Sequence, residues 1–453
     1  MSVNKTFRPY TPGQSFLLPP SPLDWLPEGH LARFILDLVK ELDLTKIYAH
    51  YEKELRGYPP HHPQMMAALL LYGYCVGVPS SRKIERKTHE DVAFRVISGG
   101  EHPDHTRVSE FRRIHLKALA EVFVQVLKLC QKAGLVKLGV VGLDGTKVKA
   151  NASKHKAMSY DRMQKDEQRL GEKVAELLTA AEKVDAAEDA EYGTGRKGDE
   201  LPAELQRTQD RLKKIREAKA ALEAEAKQRN EEEAAAKDKD DPPPGPRETP
   251  LPKHKVPQTT EGKPTDKAQR NFTDPDSRIM KTGDGYVQGY NCQAMVDAAH
   301  QIIVAEAVTN QPPDPEHLVP MLVKTVDNCG ATPEKLVADA GYFSENNVCE
   351  PHKWGIDPYI ATGRQHHDDT PPVVRGRAPS DLTMKEAMAR KLATKAGKAV
   401  YSRRKVIVEP VFGQIKEARG LRRFLLRGLQ KVRGEWSLIT LTHNILKLHG
   451  AAA

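Results

Sequence analysis

The sequence predicts an α/β protein in which an all-helical N-terminal domain precedes a mixed sheet, and a charged helical insertion interrupts that sheet. Three observations predict it. Apolar residues recur with helical period from Pro27 to about Cys130. Short β-branched runs then follow the order strand, insertion, strand, strand, helix, strand, strand, helix. Three antiparallel strands followed by strand–helix alternation make a mixed sheet. Between the first two strands, from about 161 to 270, Tyr192 is the only aromatic residue and Ala, Glu, Lys, Arg and Asp dominate.

Residues 1–20 are Pro-rich and polar and read as an arm. The helical domain occupies 21–135. Leu31, Phe34, Ile35, Leu38 and Val39 share one helical face. Pro63 opens a second apolar run, Met65 to Val78, at a helix start where its missing N–H costs nothing. A third run, His105 to Cys130, carries Val108, Phe111, Ile114, Leu119, Val122, Phe123 and Val126. Gly57, Pro59, Pro60, Gly99, Gly100 and Pro103 punctuate the joins. The second unit, 136–453, opens with a buried strand over 138–150, Leu-Gly-Val-Val-Gly-Leu-Asp-Gly-Thr-Lys-Val-Lys-Ala. The insertion and its linker, 155–275, read as two charged helices joined by the Gly-rich turn Tyr192 to Gly198. The second helix stops at Asp-Pro-Pro-Pro-Gly-Pro, 241–246, and a polar loop runs to about Asp276. Tyr286 to Val296 and Gln301 to Val308 form a hairpin across Asp297-Ala298-Ala299-His300. Pro315 to Asn328 is a helix, and Lys335 to Ala340 and Asp357 to Ala361 are short buried strands. Residues 363–398 are polar loop with a helix, and Arg403 to His449 is an arginine-rich helical region.

Lys and Arg number 70 and Asp and Glu 61, so the net charge is +9, compatible with nucleic-acid binding without requiring it. No apolar run approaches the roughly 20 residues of a membrane helix. Met1 to Pro12 has no apolar h-region, so no secretory signal is expected. The five cysteines (Cys75, Cys130, Cys292, Cys329, Cys349) are scattered with no Cys-x-x-Cys. That pattern argues against a disulfide framework and a cysteine zinc site and fits a reducing cytosol.

The candidate chemistry lies in acidic residues at strand ends. Asp144 closes Val-Val-Gly-Leu and Asp339 closes Leu-Val-Ala. An Asp straight after an apolar strand sits at the carboxyl edge of a sheet, where open α/β sheets bind ligands. If the two strands are neighbours, the carboxylates face each other and repel unless a cation such as Mg²⁺ lies between them. Each Asp taken alone also reads as the cap of the next turn. Glu409 is a third carboxylate. It lies beside an apolar stripe (Val408, Val411, Phe412, Ile415) that would pin its helix to the sheet, with Lys416 two turns on. Arg404, Lys405, Arg419, Arg422, Arg423 and Arg427 surround it with positive charge. Carboxylates bind hard cations and basic residues bind phosphates, a combination that suits phosphodiester chemistry. The pairs His61-His62 and His366-His367-Asp368-Asp369 read as solvent-exposed histidines in polar loops. Trp436 and Phe424 read as core.

With these residues in view, the chain resembles a DDE transposase of bacterial insertion sequences, in the insertion sequence five superfamily and, closer, the insertion sequence eleven-eighty-two group. Three stretches carry the resemblance: Gly-Leu-Asp-Gly-Thr-Lys-Val-Lys-Ala-Asn-Ala-Ser at 142–153, Val-Ala-Asp-Ala-Gly-Tyr at 337–342, and Tyr401 to Lys416. The last is similar to the family's Tyr–Arg–Glu–Lys signature, with Arg404 or Lys405 at the basic position and Val-Glu-Pro-Val-Phe-Gly at 408–413. Tyr290-Asn291-Cys292-Gln293 and the stretch from about 20 to 130 also resemble the family. The resemblance implies an RNase H-like catalytic fold with Asp144, Asp339 and Glu409 as metal-binding triad. Two Mg²⁺ ions, replaceable by Mn²⁺, would clamp the scissile phosphate roughly 3.5–4 Å apart. Strand cleavage at the element's end and strand transfer to target DNA would follow. Tyr401, Arg404, Lys405 and Lys416 would contact DNA near the cut. The implied partner is double-stranded DNA, both terminal inverted repeats and target. A homodimer or larger synaptic complex is implied, in the cytoplasm of a bacterium at its nucleoid and away from membranes.

Alternatives stand beside these expectations. The helix opened by Arg107, with Arg112 and Arg113 at its start and Arg82, Lys83, Arg86 and Lys87 nearby, reads as a DNA-binding helix-turn-helix or as an ordinary bundle with a basic surface. The insertion reads as a coiled-coil-like dimer contact or a solvated charged hairpin. The chain as a whole could also be a non-catalytic DNA-binding architectural protein, a non-transposing metal nuclease or a decayed remnant.

Overall fold

The computed structural model describes residues 21–52, 59–192, 203–237, 250–283, 285–363, 374–376, 379 and 381–452. The polar arm 1–20, the turn after Tyr192, the run 241–246 and the His366–Asp369 cluster lie outside the described residues.

Helices come first: α1 (Leu31–Glu41), α2 (Thr45–Tyr51), α3 (Pro63–Cys75), α4 (Ser81–Glu90), α5 (Val92–Ile97) and α6 (His105–Lys132). Each start has a local cause. Pro63 occupies the first turn of α3. Asp104 caps α6, its Oδ1 accepting from the N–H groups of Thr106 and Arg107. Asp91 caps α5 in the same way. The apolar run of α3 has no polar face, and it is buried on nearly every side, from Met66 through Cys75.

The chain then enters β1 (Val140–Lys149) and leaves through β2 (Ala157–Ser159) into two long helices, α7 (Tyr160–Tyr192) and α8 (Ala203–Lys237), and returns by β3 (Gln269–Asn271). The two helices pack on each other around a small core of their own, with Met163, Leu170, Leu212, Ile215 and Leu222 at its centre. β2 and β3 pair antiparallel at the root of this arm. Next come β4 (Arg278–Thr282), β5 (Gly285–Asp297), β6 (Ile303–Thr309), α9 (Leu318–Cys329), β7 (Lys335–Ala338), α10 (Glu345–Lys353) and β8 (Asp357–Ile360). The main sheet runs β4–β5–β1–β7–β8, with β6 also paired to β5. β1 is antiparallel to β5 and parallel to β7, with Leu143 opposite Ala338. β7 and β8 are parallel. This is a mixed sheet in an α/β chain.

The last elements are α11 (Met384–Ala393), α12 (Lys395–Tyr401), α13 (Arg403–Ile407), α14 (Glu409–Gly413) and α15 (Leu429–Ala452). α15 lies between the N-terminal helices and the sheet, packing on α3 and α6 on one side and β6 on the other. A Cβ at Gly434 would stand 2.4 Å from Leu116 Cγ, so only glycine lets α15 and α6 cross so closely. Trp436 and Phe424 are fully buried here. One continuous apolar core therefore joins the N-terminal helices to the sheet.

Three features differ from the sequence reading. α10 fills the connection between β7 and β8, which a parallel crossover needs. Its polar sequence and the internal Pro351 hide it. Residues 403–449 are not one helical region. A π-helical turn at Gln414–Ala418 ends the first part, and Gly420 and Gly428, with φ of +65° and +85°, bound a non-helical segment. β3 and β4 form within or beside the expected polar loop, paired through backbone rather than apolar pattern. Among the described residues no helix is long and apolar enough to cross a membrane.

Candidate active site

The sheet register brings the two aspartates together. Asp144 is the first residue of β1 beyond its pairing with β7, and Asp339 is the residue that follows β7. Successive side chains alternate across β1, so Gly142, Asp144 and Thr146 face the helices α13 and α14. A Cβ on Gly142 would lie 2.8 Å from Val408 and 3.0 Å from Ile407, so glycine there lets α13–α14 lie directly on the strand. Val408, Val411, Phe412 and Ile415 are all buried and hold that helix pair in place.

Arg404 of α13 is thereby set between two carboxylates. It donates to Asp144 Oδ2 at 3.2 Å and to Glu409 Oε1 at 3.4 Å. Tyr401 lies beside the same guanidinium. Burial opposes the Arg404 charge, but Asp144, Tyr401, Asp339 and Glu409 outweigh it and raise its pKa. Asp144 is pushed up to about 6, first by burial and then by the charge of Asp339; Arg404 and the Gly145 N–H pull the other way. Asp339 is also raised by burial, against the Gly341 N–H and Arg404. Lys416 donates to Thr146 Oγ1 and, at 3.2 Å, to the Lys147 carbonyl. Burial lowers its pKa.

The opposite face of β1 carries a polar floor absent from the sequence-derived candidates. Asp314 accepts from Asn291 Nδ2 at 2.7 Å, Gln293 Nε2 at 2.9 Å and Lys147 Nζ at 3.2 Å. Tyr342 donates its hydroxyl to Gln293 Oε1. Gly145 makes room for this floor: a Cβ there would meet Gln293 Nε2 at 2.5 Å and Asp314 Oδ1 at 3.0 Å. The signal for Asp314 was an Asp shortly after β6, enclosed by Pro313 and Pro315.

The candidate residues therefore divide. Asp144, Asp339, Glu409, Tyr401, Arg404 and Lys416 gather at one place, with Arg404 rather than the exposed Lys405 at the carboxylates. Arg112 and Arg113 lie elsewhere, on α6. Arg113 is exposed, 3.7 Å from Glu110. Arg112 is buried, donating to Tyr74 Oη at 3.1 Å and to the Pro79 carbonyl at 2.8 Å. It is a residue of the fold and not a surface contact. Its place in the α6 period, one residue past Phe111, turns it inward. Arg419 is buried too, on the Ile439 carbonyl and Thr442.

The chain matches two family models. Residues 20–113 match a transposase domain (DUF772), and residues 378–449 match a transposase DDE domain. Both matches indicate a transposase. Together they support a DDE transposase, and they span less than half of the chain. Tyr401, Arg404, Glu409 and Lys416 fall inside the second match, whereas Asp144 and Asp339 fall outside both. No curated protein and no solved structure matches the chain.

DDE transposases generally use a divalent metal. Among the described residues no group of three or more His, Cys, Asp or Glu is gathered tightly enough to hold one, and Arg404 lies between Asp144 and Glu409. The donor chemistry fits a hard cation all the same. The available atoms are carboxylate oxygens, and burial raises the proton affinity of the two aspartates against the pull of Arg404.

Proposed function

We propose that this transposase binds the ends of an insertion sequence and catalyses metal-dependent strand cleavage and strand transfer. Asp144, Asp339 and Glu409 are its metal-binding triad on an RNase H-like sheet. One observation carries the reading: Arg404 pairs with Asp144 at the end of one strand and Glu409 of a following helix, and Asp339, at the end of the neighbouring parallel strand, lies within their electrostatic reach. The strand directions support the fold assignment, with three antiparallel strands at β1, β5 and β6 and two parallel ones at β7 and β8. Two divalent cations held by the three carboxylates, Mg²⁺ in this reading, would supply Lewis acidity at a phosphodiester.

The chain's own residues do the rest. Arg404, released from Glu409 and Asp144, turns to a phosphate oxygen, which its planar fork suits. Lys416, fixed by Thr146 and the Lys147 carbonyl, presents a fixed positive charge beside the carboxylates. Tyr401 and Lys405 contact the strand near the cut. The Asp314 floor holds β1 and the Asp339 turn at a set separation through Lys147, Gln293 and Tyr342. The expected place of work is the nucleoid of a bacterial cytoplasm, in a synaptic complex of at least two copies.

The test is cleavage of a duplex carrying the element's own ends, with Mg²⁺ and with EDTA, for wild type and Glu409→Ala. Metal-dependent cuts at the ends that vanish in Glu409→Ala while binding persists are expected. Undiminished cutting by Glu409→Ala would remove it from the triad. Tight binding with no cutting by wild type would favour the architectural reading.

A further inference from the structure

A polar groove of about 640 Å³ lies between the N-terminal helices and the segment that precedes α15. Ser80, Ser81, Arg82, Thr106, Arg113 and Leu425 line it. Its one carboxylate, Glu110, is taken up by Arg107 at 3.3 Å and Arg113 at 3.7 Å. Arg82 is exposed and forms no ion pair with a described residue. Hydroxyls and guanidinium groups without competing carboxylates are the chemistry of phosphate contact.

A chain of hydrogen bonds links the groove wall to the strand that carries Asp144. Lys149, at the far end of β1, bridges to Arg423 in parallel register. Phe424 N–H donates to the Lys149 carbonyl at 2.9 Å, and Asn151 Nδ2 donates to the Leu425 carbonyl at 2.8 Å. Leu425 then forms part of the groove wall. Lys149, Arg423 and Arg427 are exposed along this path.

The segment is rigidly held although it is not helical. Buried Glu435 accepts the N–H groups of Leu425 at 3.0 Å and Leu426 at 2.9 Å. Asp274 and Asp276 accept those of Gly428 at 3.1 Å and Leu429 at 2.8 Å. Glu435 also accepts from Tyr74 Oη at 3.3 Å, which in turn accepts from Arg112. The buried Arg112–Tyr74–Glu435 chain thus ties one wall of the groove to the other.

We propose that this groove seats the sugar–phosphate backbone of duplex DNA whose end lies at the carboxylates, with Arg82, Arg423 and Arg427 as its phosphate contacts. The inference rests on the reading of the carboxylate site as a DNA-processing centre. Five residues of strand separate Asp144 from Lys149, a reach of about 17 Å at about 3.4 Å per residue. That equals about five base pairs of a duplex rising about 3.4 Å per step. The contacts are to backbone, so they set position and affinity and read no sequence.

The experiment measures binding of a fluorescent duplex of about 30 base pairs by anisotropy, in EDTA, across a salt series. It compares the full-length wild type, the double variant Arg82→Ala/Arg423→Ala, and the double variant Lys213→Ala/Lys214→Ala on exposed positions of α8. The last two lose the same charge. The groove variant is expected to bind about tenfold or more weakly, with the log–log salt slope reduced by about 2, while the α8 variant follows wild type. Equal losses in both variants, or a groove variant that binds like wild type, would overturn the groove. Wild type that binds no duplex at all would overturn the DNA-processing reading beneath it.

Discussion

The α7–α8 arm and the carboxylate edge of the sheet handle charge in opposite ways. The arm is the more highly charged, yet its partly buried carboxylates are paired with bases along and across the two helices. Glu167 accepts from Arg216 at 3.0 Å and Lys219 at 2.9 Å, and Asp166 lies 2.9 Å from Arg169 and 3.6 Å from Arg211. Its root is tied down similarly, by Arg270 on Glu225 and by the Tyr160 hydroxyl on Glu223 at 2.7 Å. At the sheet edge, Asp144, Asp339 and Arg404 are partly buried, Glu409 is exposed, and the charges are out of balance. Two carboxylates, Asp144 and Glu409, share one guanidinium with Asp339 nearby, and Asp144 and Asp339 both carry raised pKa values. Pairing lowers Glu167, whereas burial raises Asp144. The arm spends its charge on holding itself together, and the site stores an unmet demand for positive charge.

The largest effect that can break this contrast is on cleavage. Asp144→Ala and Asp339→Ala are each expected to lower metal-dependent strand cleavage by at least about 10³-fold, as removal of a group acting within a catalytic unit does. A rate assay on end-bearing duplex checks it, and retained cutting by either variant would dissolve the site's side of the comparison.

Next in size is a stability gain. Asp144 titrates at about 6 in the folded chain against an ordinary 3.8. A carboxyl raised by folding costs stability that develops as pH rises from 3.8 through 6 and is complete above that. Asp144→Asn should therefore be more stable than wild type at pH 8 in EDTA, by about 1–3 kcal/mol. Thermal denaturation reads it, and a variant that melts lower would mean Arg404 already satisfies Asp144.

A buried group away from both regions sharpens the role of burial alone. His443 in α15 donates through Nε2 to the Gln301 carbonyl at 2.8 Å and is driven down to about 3 by burial. A folded pKa below the unfolded one gives stability that is whole above about 6.5 and drains as pH falls toward 3. The slope is up to about 1.4 kcal/mol per pH unit. His443→Gln should flatten the stability profile between pH 6.5 and 4; an unchanged slope would assign it to other groups.

The smallest effect is expected in the arm. Glu167→Gln removes the shared partner of Arg216 and Lys219 at a site that is only partly buried. Such pairs contribute up to about 1 kcal/mol. Denaturant unfolding should show a change within that bound, and cleavage should match wild type.

How much was legible follows from which signals are local. Asp144, Asp339 and Glu409 each sit at the end of an apolar run or beside an apolar stripe, and such runs are visible in a single sequence. The helices of the arm show through period and composition alone, because the spacing of Val174, Leu177, Leu212 and Ile215 and the run of helix-forming residues are both local signals. Asp314 carried only a weak signal, since its three donors come from β1 and β5, which are distant in the chain. Arg112 misled for the reverse reason. A basic residue near a helix start reads as surface until Tyr74 and the Pro79 carbonyl, more than thirty residues earlier, are seen to enclose it. The helix α10 was hidden by an internal proline and a polar face.

The sequence by itself determined the helical N-terminal stretch, the main strands β1, β5, β6, β7 and β8 in order, the charged insertion after the first of them, and the residue types at the strand ends. These depend on periodicity, capping and turn chemistry, all of which act over a few residues. Tertiary structure alone decided that Arg404 and not Lys405 meets the carboxylates, that Asp314 underlies them, and that α15 fuses the N-terminal helices and the sheet into one core. It also decided that the basic segment before α15 lies against β1. Those outcomes depend on which distant side chains share a buried volume, where a charge or a methyl group is felt only through its packed neighbours.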